Sequence, residues 1–235
     1  FILSTALGVF ILFKIKIINF NINKIDIKRI LRFGIPLLPH AIAGILLASS
    51  SKFFLSSIIN NEALGIYSVA FQIAGAVLLL MTSINQAWAP NLYEILNSNP
   101  SKEIKKSLVY KTYKTMLLMT VITILFIITV PYIYYLFIDE RFHSGIFVSR
   151  IIAIGFLMNG LYYLVTNYIV YTKRTEILSY ITTIVSIVGA FINYYLIVKF
   201  GIIGAGYGLI ITFGLLFITV FYYANKLYKM PWLLK

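Results

Sequence analysis

The 235-residue sequence predicts an all-α polytopic membrane protein, on three observations. The chain is 60% hydrophobic and 11% charged, against about 45–50% and about 25% in soluble domains. Its apolar residues gather into long stretches, each able to cross a hydrocarbon core of about 30 Å as a helix. Its basic residues gather between alternate stretches, as they do in membrane proteins with a fixed orientation.

Residues 1–13 are apolar but shorter than the ~20 residues a span needs. No positively charged segment precedes them, so they lack the form of a signal peptide. They are expected to be the end of a transmembrane helix that begins in a longer chain. Residues 14–32 follow with Lys14, Lys16, Lys24, Lys28, Arg29 and Arg32. Isoleucines alternate there with Lys and Asn, and Ile27, Ile30 and Leu31 then take up helical spacing. The segment fits a cytoplasmic amphipathic helix lying in the interface, and equally an ordinary charged linker. Residues 33–235 are expected to form a six-helix lobe with a cytoplasmic tail. The six apolar stretches run over 33–59, 62–88, 111–138, 146–172, 177–198 and 203–225. Barrel strands are shorter and alternate in polarity, so helices are the better reading.

Sixteen of the twenty basic residues fall at 14–32, 102–114, 173–174 and 226–235. The intervening turns near Glu62, Asp139–Arg141 and Lys199–Gly201 are acidic or nearly neutral. The positive-inside rule therefore puts the tail in the cytoplasm and the short turns outside. The same distribution explains the net charge of +13 without a nucleic-acid partner. With no cysteine, the chain has no disulfide, thiol nucleophile or thiolate metal site.

Polar groups within the stretches are costly in lipid and so are informative. Lys52 stands inside "ASSSKFFLSSII". It reads either as a side chain snorkelling to the outer interface or as a cation lining a cavity. Pro36 and Pro39 should kink the same helix. Gly44 follows them, and His40 lies near the cytoplasmic end as an interfacial residue or a pathway residue. Ser68, Gln72, Gly75, Thr82 and Gln86 share one helical face, with Asn85 beside it. Asn159, Tyr163 and Thr166 make a second stripe; Ser179, Thr182, Ser186, Gly189 and Asn193 make a third. Such stripes serve helix packing or a hydrated lumen, and three in one six-helix unit favour a shared lumen. Lys52, Gln72, Asn85, Gln86, Asn159 and Asn193 are the resulting cavity candidates. Gly204 and Gly208 form a GxxxG close-packing signal. All seven acidic residues fall in loops or near helix ends, so this region supplies no intramembrane carboxylate for ion coupling. Trp88 and Trp232 read as interface anchors. No HExxH, GxSxG, P-loop or dinucleotide pattern occurs. No enzyme activity, metal or cofactor is expected.

"RFGIPLLPHAIAGILLASSSKFFL" (32–55) and "ALGIYSVAFQIAGAVLLLMTSINQAWAPNLYE" (63–94) resemble the opening of the second lobe of polysaccharide (O-antigen, Wzx-type) flippases. The shared features include the start Gly65–Tyr67, Gln72 and the exit Trp88–Pro90. "GLYYLVTNYIVYTKRTEILSYIT" and "NYYLIVKFGIIGAGYGLIIT" resemble the last three helices. These flippases belong to the multidrug/oligosaccharidyl-lipid/polysaccharide exporter superfamily. The resemblance implies the C-terminal lobe of an exporter fold, with two six-helix lobes around a cavity that opens alternately. It implies a bacterial cytoplasmic-membrane protein whose substrate is an undecaprenyl-pyrophosphate-linked oligosaccharide. Expected partners are membrane lipid, that substrate, a proton or sodium gradient, a polysaccharide polymerase and glycosyltransferases. Where the family pattern carries an acidic–basic pair, this chain has Ser51–Lys52 and keeps only the basic member. A multidrug or cation extruder of the same superfamily is the alternative; it would want an acidic lumen.

Overall fold

The structure is a computed structural model that describes residues 49–233. The segments 1–13 and 14–32, the kink residues Pro36 and Pro39, and His40 and Gly44 lie outside the described residues. Among those described there is no strand. Helix α1 covers residues 49–59, and its last turn, Leu55–Ile59, is π-helical. The others are α2 (Asn61–Asn97), α3 (Lys102–Phe137), α4 (Gly145–Tyr171) and α5 (Thr175–Leu227), with a 3₁₀ turn at Glu140–Phe142. Four of these, α2 to α5, are long and apolar enough to cross a membrane.

The helices overrun the apolar stretches. Helix α2 continues to Asn97 and α3 begins at Lys102, so the lysines at 102–114 ride the first turns of α3 instead of an open loop. Hydropathy marks the part of a helix that lipid covers; backbone bonding carries the helix on through the interface, where charge costs little. The connection shrinks to residues 98–101, and the Ser101 hydroxyl accepts from the Ile104 amide at 3.4 Å, capping α3.

The stretches 177–198 and 203–225 are also joined without a loop. They are the two limbs of α5, which is bent at Gly201 (φ 59°, ψ −134°). Each limb has about 26 residues and rises roughly 39 Å. The limbs run antiparallel and in contact. A Cβ on Gly204 would strike the Leu196 carbonyl, one on Gly208 would strike the Asn193 side-chain oxygen, and one on Gly189 would meet Thr212 Cγ2 at 2.5 Å. Partners thus step by three and four residues on one limb and by four on the other, in opposite directions, and the GxxxG is the seam of this helical hairpin.

Helix α4 is the centre, with seventeen residues buried. It runs parallel to α2 in one register: Gly145 lies against Ile66, Ser149 donates to the Ala70 carbonyl at 3.3 Å, and Gly160 lies against Met81. It also runs parallel to the second limb of α5, through Ile151 against Gly206 and Gly155 against Leu209. Helices α2, α4 and that limb therefore share one direction; α1, α3 and the first limb take the other. This alternation matches the distribution of charge. Among the described residues it brings Lys102, Lys105, Lys106, Lys111, Lys114, Lys173, Arg174, Lys226 and Lys229 to one end, the basic end.

Helices α3 and α5 share almost no direct contact. The segment after α5 bridges them at the basic end. Tyr113 of α3 donates its hydroxyl to the Trp232 carbonyl at 2.7 Å. The Trp232 ring lies 5.0 Å from Phe221 and 5.7 Å from Tyr168, centroid to centroid. Lys105 Nζ sits 5.0 Å from the Tyr228 ring centre. Trp232 and Trp88 are thus partly buried packing residues, with both indole nitrogens buried, not free interface anchors. The sequence shows amphipathic rings near basic residues but not the backbone reversal that folds the tail inward.

Two substitutions test the hairpin. A Cβ on Gly201 meets nothing within 4 Å, so Gly201→Ala should cost only backbone strain, about 1–3 kcal/mol. Gly208→Leu adds a steric clash and should be worse. Thermal unfolding in detergent should rank wild type above Gly201→Ala and Gly201→Ala above Gly208→Leu. A Gly208→Leu protein as stable as wild type would contradict the seam.

Candidate functional site

The polar face of α2 is not covered by the rest of the described bundle. Gln72, Ala76, Leu79, Ser83, Gln86 and Pro90 are exposed in sequence steps of three and four. Gln72 and Gln86 are separated by a rise of about 21 Å. Helix α1 turns into α2 at Asn60, whose side chain caps Ala63 N at 2.7 Å. That tight turn sets Lys52 beside the α2 face, about 12 Å from the turn. Lys52 is exposed, and its Nζ lies 5.3 Å from the centre of the Phe71 ring. Phe71 precedes Gln72, so the cation and the first exposed amide share one level. The Thr82 and Ser83 hydroxyls both donate to the Leu79 carbonyl at 2.8 Å. Their donors are spent within the helix, which leaves Gln72 and Gln86 as the freer groups on this face.

Asn85 sits at the edge of the same face and is tied inward. The Asn167 side-chain nitrogen donates to Asn85 Oδ1 at 2.8 Å, and the Tyr93 hydroxyl donates to Asn167 Oδ1 at 3.2 Å. This chain of bonds holds α2 to α4 and leaves the Asn85 Nδ2 donors available. Asn167 escapes the sequence analysis, although it stands four residues after Tyr163, at the helical spacing of the Asn159–Tyr163–Thr166 stripe.

Asn159 and Asn193 do not join the open face. Both are buried between helices, at 6% and 4% exposure. Asn193 Nδ2 donates to Ser51 Oγ at 2.9 Å and lies 3.3 Å from Ser50 Oγ, linking α5 to α1. The void beside it is about 10 Å³, far too small for a sugar. Ser179, Thr182, Ser186 and Gly189 are buried with Asn193. The Thr182 and Ser186 hydroxyls donate to the carbonyls of Leu178 and Thr182 at 2.9 and 2.6 Å. This stripe is packing. Small and polar residues at helical spacing let backbones approach, and a lumen would show the same spacing, so sequence alone could not separate them.

Sequence reasoning also missed Arg150. It is half-buried on α4, and its Nε donates to the Ile127 carbonyl at 3.2 Å. That carbonyl has no helical partner because Pro131, four residues on, has no N–H. The signal available in the sequence was an arginine in one apolar stretch and a proline in the preceding one.

A family model described as polysaccharide biosynthesis protein matches residues 1–96. No curated protein and no solved structure matches the chain. The matched stretch takes in Lys52, Gln72, Asn85 and Gln86, and stops short of Arg150, Asn159 and Asn193.

The Asn193–Ser51 bond gives a double-mutant test. Asn193→Ala and Ser51→Ala should couple by about 0.6 kcal/mol, and by no more than roughly 1.7 kcal/mol. Denaturation in mixed micelles would measure this. Zero coupling would remove the bond from the account of packing.

Proposed function

We propose that this chain is the C-terminal, six-helix lobe of a flippase. It would move undecaprenyl-pyrophosphate-linked oligosaccharide across the bacterial cytoplasmic membrane for surface polysaccharide synthesis. The observation that carries the reading is the open face of α2: a cation, Lys52, level with Gln72, and an amide row leading toward Gln86 near the basic end. All of it lies within the stretch matched by the polysaccharide biosynthesis family model.

The chemistry suits an anionic, sugar-bearing substrate. A cation within the spans draws the pyrophosphate. Amide side chains both donate and accept, so they can replace water around sugar hydroxyls one bond at a time. The family resemblance supplies a second lobe to face this surface, and the cavity would then lie between the lobes. The basic end is cytoplasmic in this reading, so Lys52 lies in the outer part of the membrane and Gln86 in the inner part. A proton or sodium gradient is the proposed energy source. Polymerase and glycosyltransferases are the proposed neighbours in the pathway.

Two experiments follow. In cells carrying the complete gene, Lys52→Ala should lower surface polysaccharide about tenfold at equal protein level, on the scale of one charge-assisted contact, and lipid-linked intermediate should build up. Wild-type export by this variant would remove Lys52 from the mechanism. Export unchanged on gene deletion, with raised sensitivity to cationic drugs, would favour a drug extruder. For orientation, a single cysteine at Glu140 should react with an impermeant thiol reagent on intact cells, and one at Lys173 only after lysis. The reverse pattern would invert the topology.

A further inference from the structure

We propose that Arg150 and the uncovered stripe of α4 below it hold an anionic phospholipid of the outer leaflet. The inference rests on the orientation proposed above, with the basic end cytoplasmic. It concerns a different face of the molecule from the α2 surface.

Helix α4 is buried on nearly every side, yet Phe147, Arg150, Ile154, Met158 and Leu161 stay partly or fully exposed at steps of three and four. This stripe lies between α3 and the second limb of α5, which share almost no direct contact with each other. It is therefore the floor of a crevice. Nearer the basic end, Val165 and Tyr168 carry the stripe on but are buried, because Trp232 and its neighbours cover them. The crevice is thus closed toward the basic end and open toward the other.

Arg150 stands at the upper part of that floor. Its Nε reaches the Ile127 carbonyl, ten residues and about 15 Å below the end of α3 at Phe137, so the guanidinium lies within the hydrocarbon. Arginine has five N–H donors. Among the described residues one is used, on the Ile127 carbonyl. The ion pairs among the described residues are Arg141–Asp139 and Arg174–Glu176, and neither involves Arg150. A guanidinium at this depth needs further acceptors. Its planar fork suits two oxygens of one phosphate. Below it, Ile154, Met158 and Leu161 offer an apolar track leading toward the bilayer centre. Cation above and apolar track below match a lipid of the outer leaflet, head up and chain down. The Ile127 bond fixes the guanidinium plane, so the site is held ready.

The test uses the purified full-length protein, delipidated in detergent and then offered phosphatidylglycerol or phosphatidylcholine, with retained lipid counted by native mass spectrometry. Wild type should retain phosphatidylglycerol about tenfold over phosphatidylcholine, the scale of one charge-assisted bond. Arg150→Gln keeps a donor for Ile127 and should lose the preference; Arg150→Lys should keep part of it. Ile154→Trp leaves the cation and blocks the track, so it should also reduce retention, and it serves as the second variant if Arg150→Gln does not fold. Lys199→Gln should behave as wild type. No preference in wild type, or full retention by both Arg150→Gln and Ile154→Trp, would overturn the proposal. Displacement of phosphatidylglycerol by added undecaprenyl pyrophosphate, only when Arg150 is present, would reassign the site to the substrate. Lipid retention needs no transport, so failure here leaves the export result with Lys52 untouched, and the reverse holds too.

Discussion

Helix α4 meets α2 at Gly145, Ser149 and Gly160 and the second limb of α5 at Gly155, and the rest of the bundle is arranged around these close approaches. In lipid no hydrophobic force draws apolar helices together, because acyl chains are as apolar as leucine. What remains is dispersion at short range and polar bonds across the seams. Both require backbones to come near, and glycines and a serine on α4 permit it. The neighbouring Gly206 makes room for Ile151, and Gly208 makes room for Asn193. Volume is removed on one side of each seam so that large side chains of the facing helix, such as Met81 and Ile151, are seated there.

A second constraint is the carbonyl inventory. Within hydrocarbon each backbone acceptor must find a donor inside the protein. Pro131 breaks that rule for Ile127, and Arg150 repairs it from the next helix. The same need explains why many hydroxyls in the spans bond to carbonyls of their own helix, as at Thr112, Thr123 and Thr212. A serine or threonine in such a helix carries less free polarity than its letter suggests. Glutamine side chains and charged groups are here the better markers of a surface that meets something else, since Asn159, Asn167 and Asn193 all lie buried between helices.

That distinction decides how much was legible. The class of fold and the alternation of direction follow from apolar length and from the placement of lysines, both set by the bilayer. The glycine seam of the α5 hairpin was legible as a packing signal, though its partner limb was not, since spacing names one face of a contact and never the other. Gln72 and Gln86 share one exposed face of α2 at the spacing the sequence shows, and Lys52, which the sequence left open between snorkelling and a cavity, stands beside that face. Asn193 has the same spacing and lies in a seam, because its stripe is lined by small residues that draw α1 and the other limb onto it. Arg150 was invisible as a site until Pro131 stood opposite it, a pairing across two helices that no periodicity within one helix contains.

The tail that straps α3 to α5 has a consequence for biogenesis. Helix α3 is made before α4, yet much of its outer surface, including Leu117, Leu118, Ile124 and Ile128, stays exposed. Its firmest anchor at the basic end is the Trp232 carbonyl, which is synthesised after every described helix. During translation α3 therefore has to wait at the edge of the growing bundle, held by lipid, by α2 and by α4, and it docks fully only once the strap itself has been made.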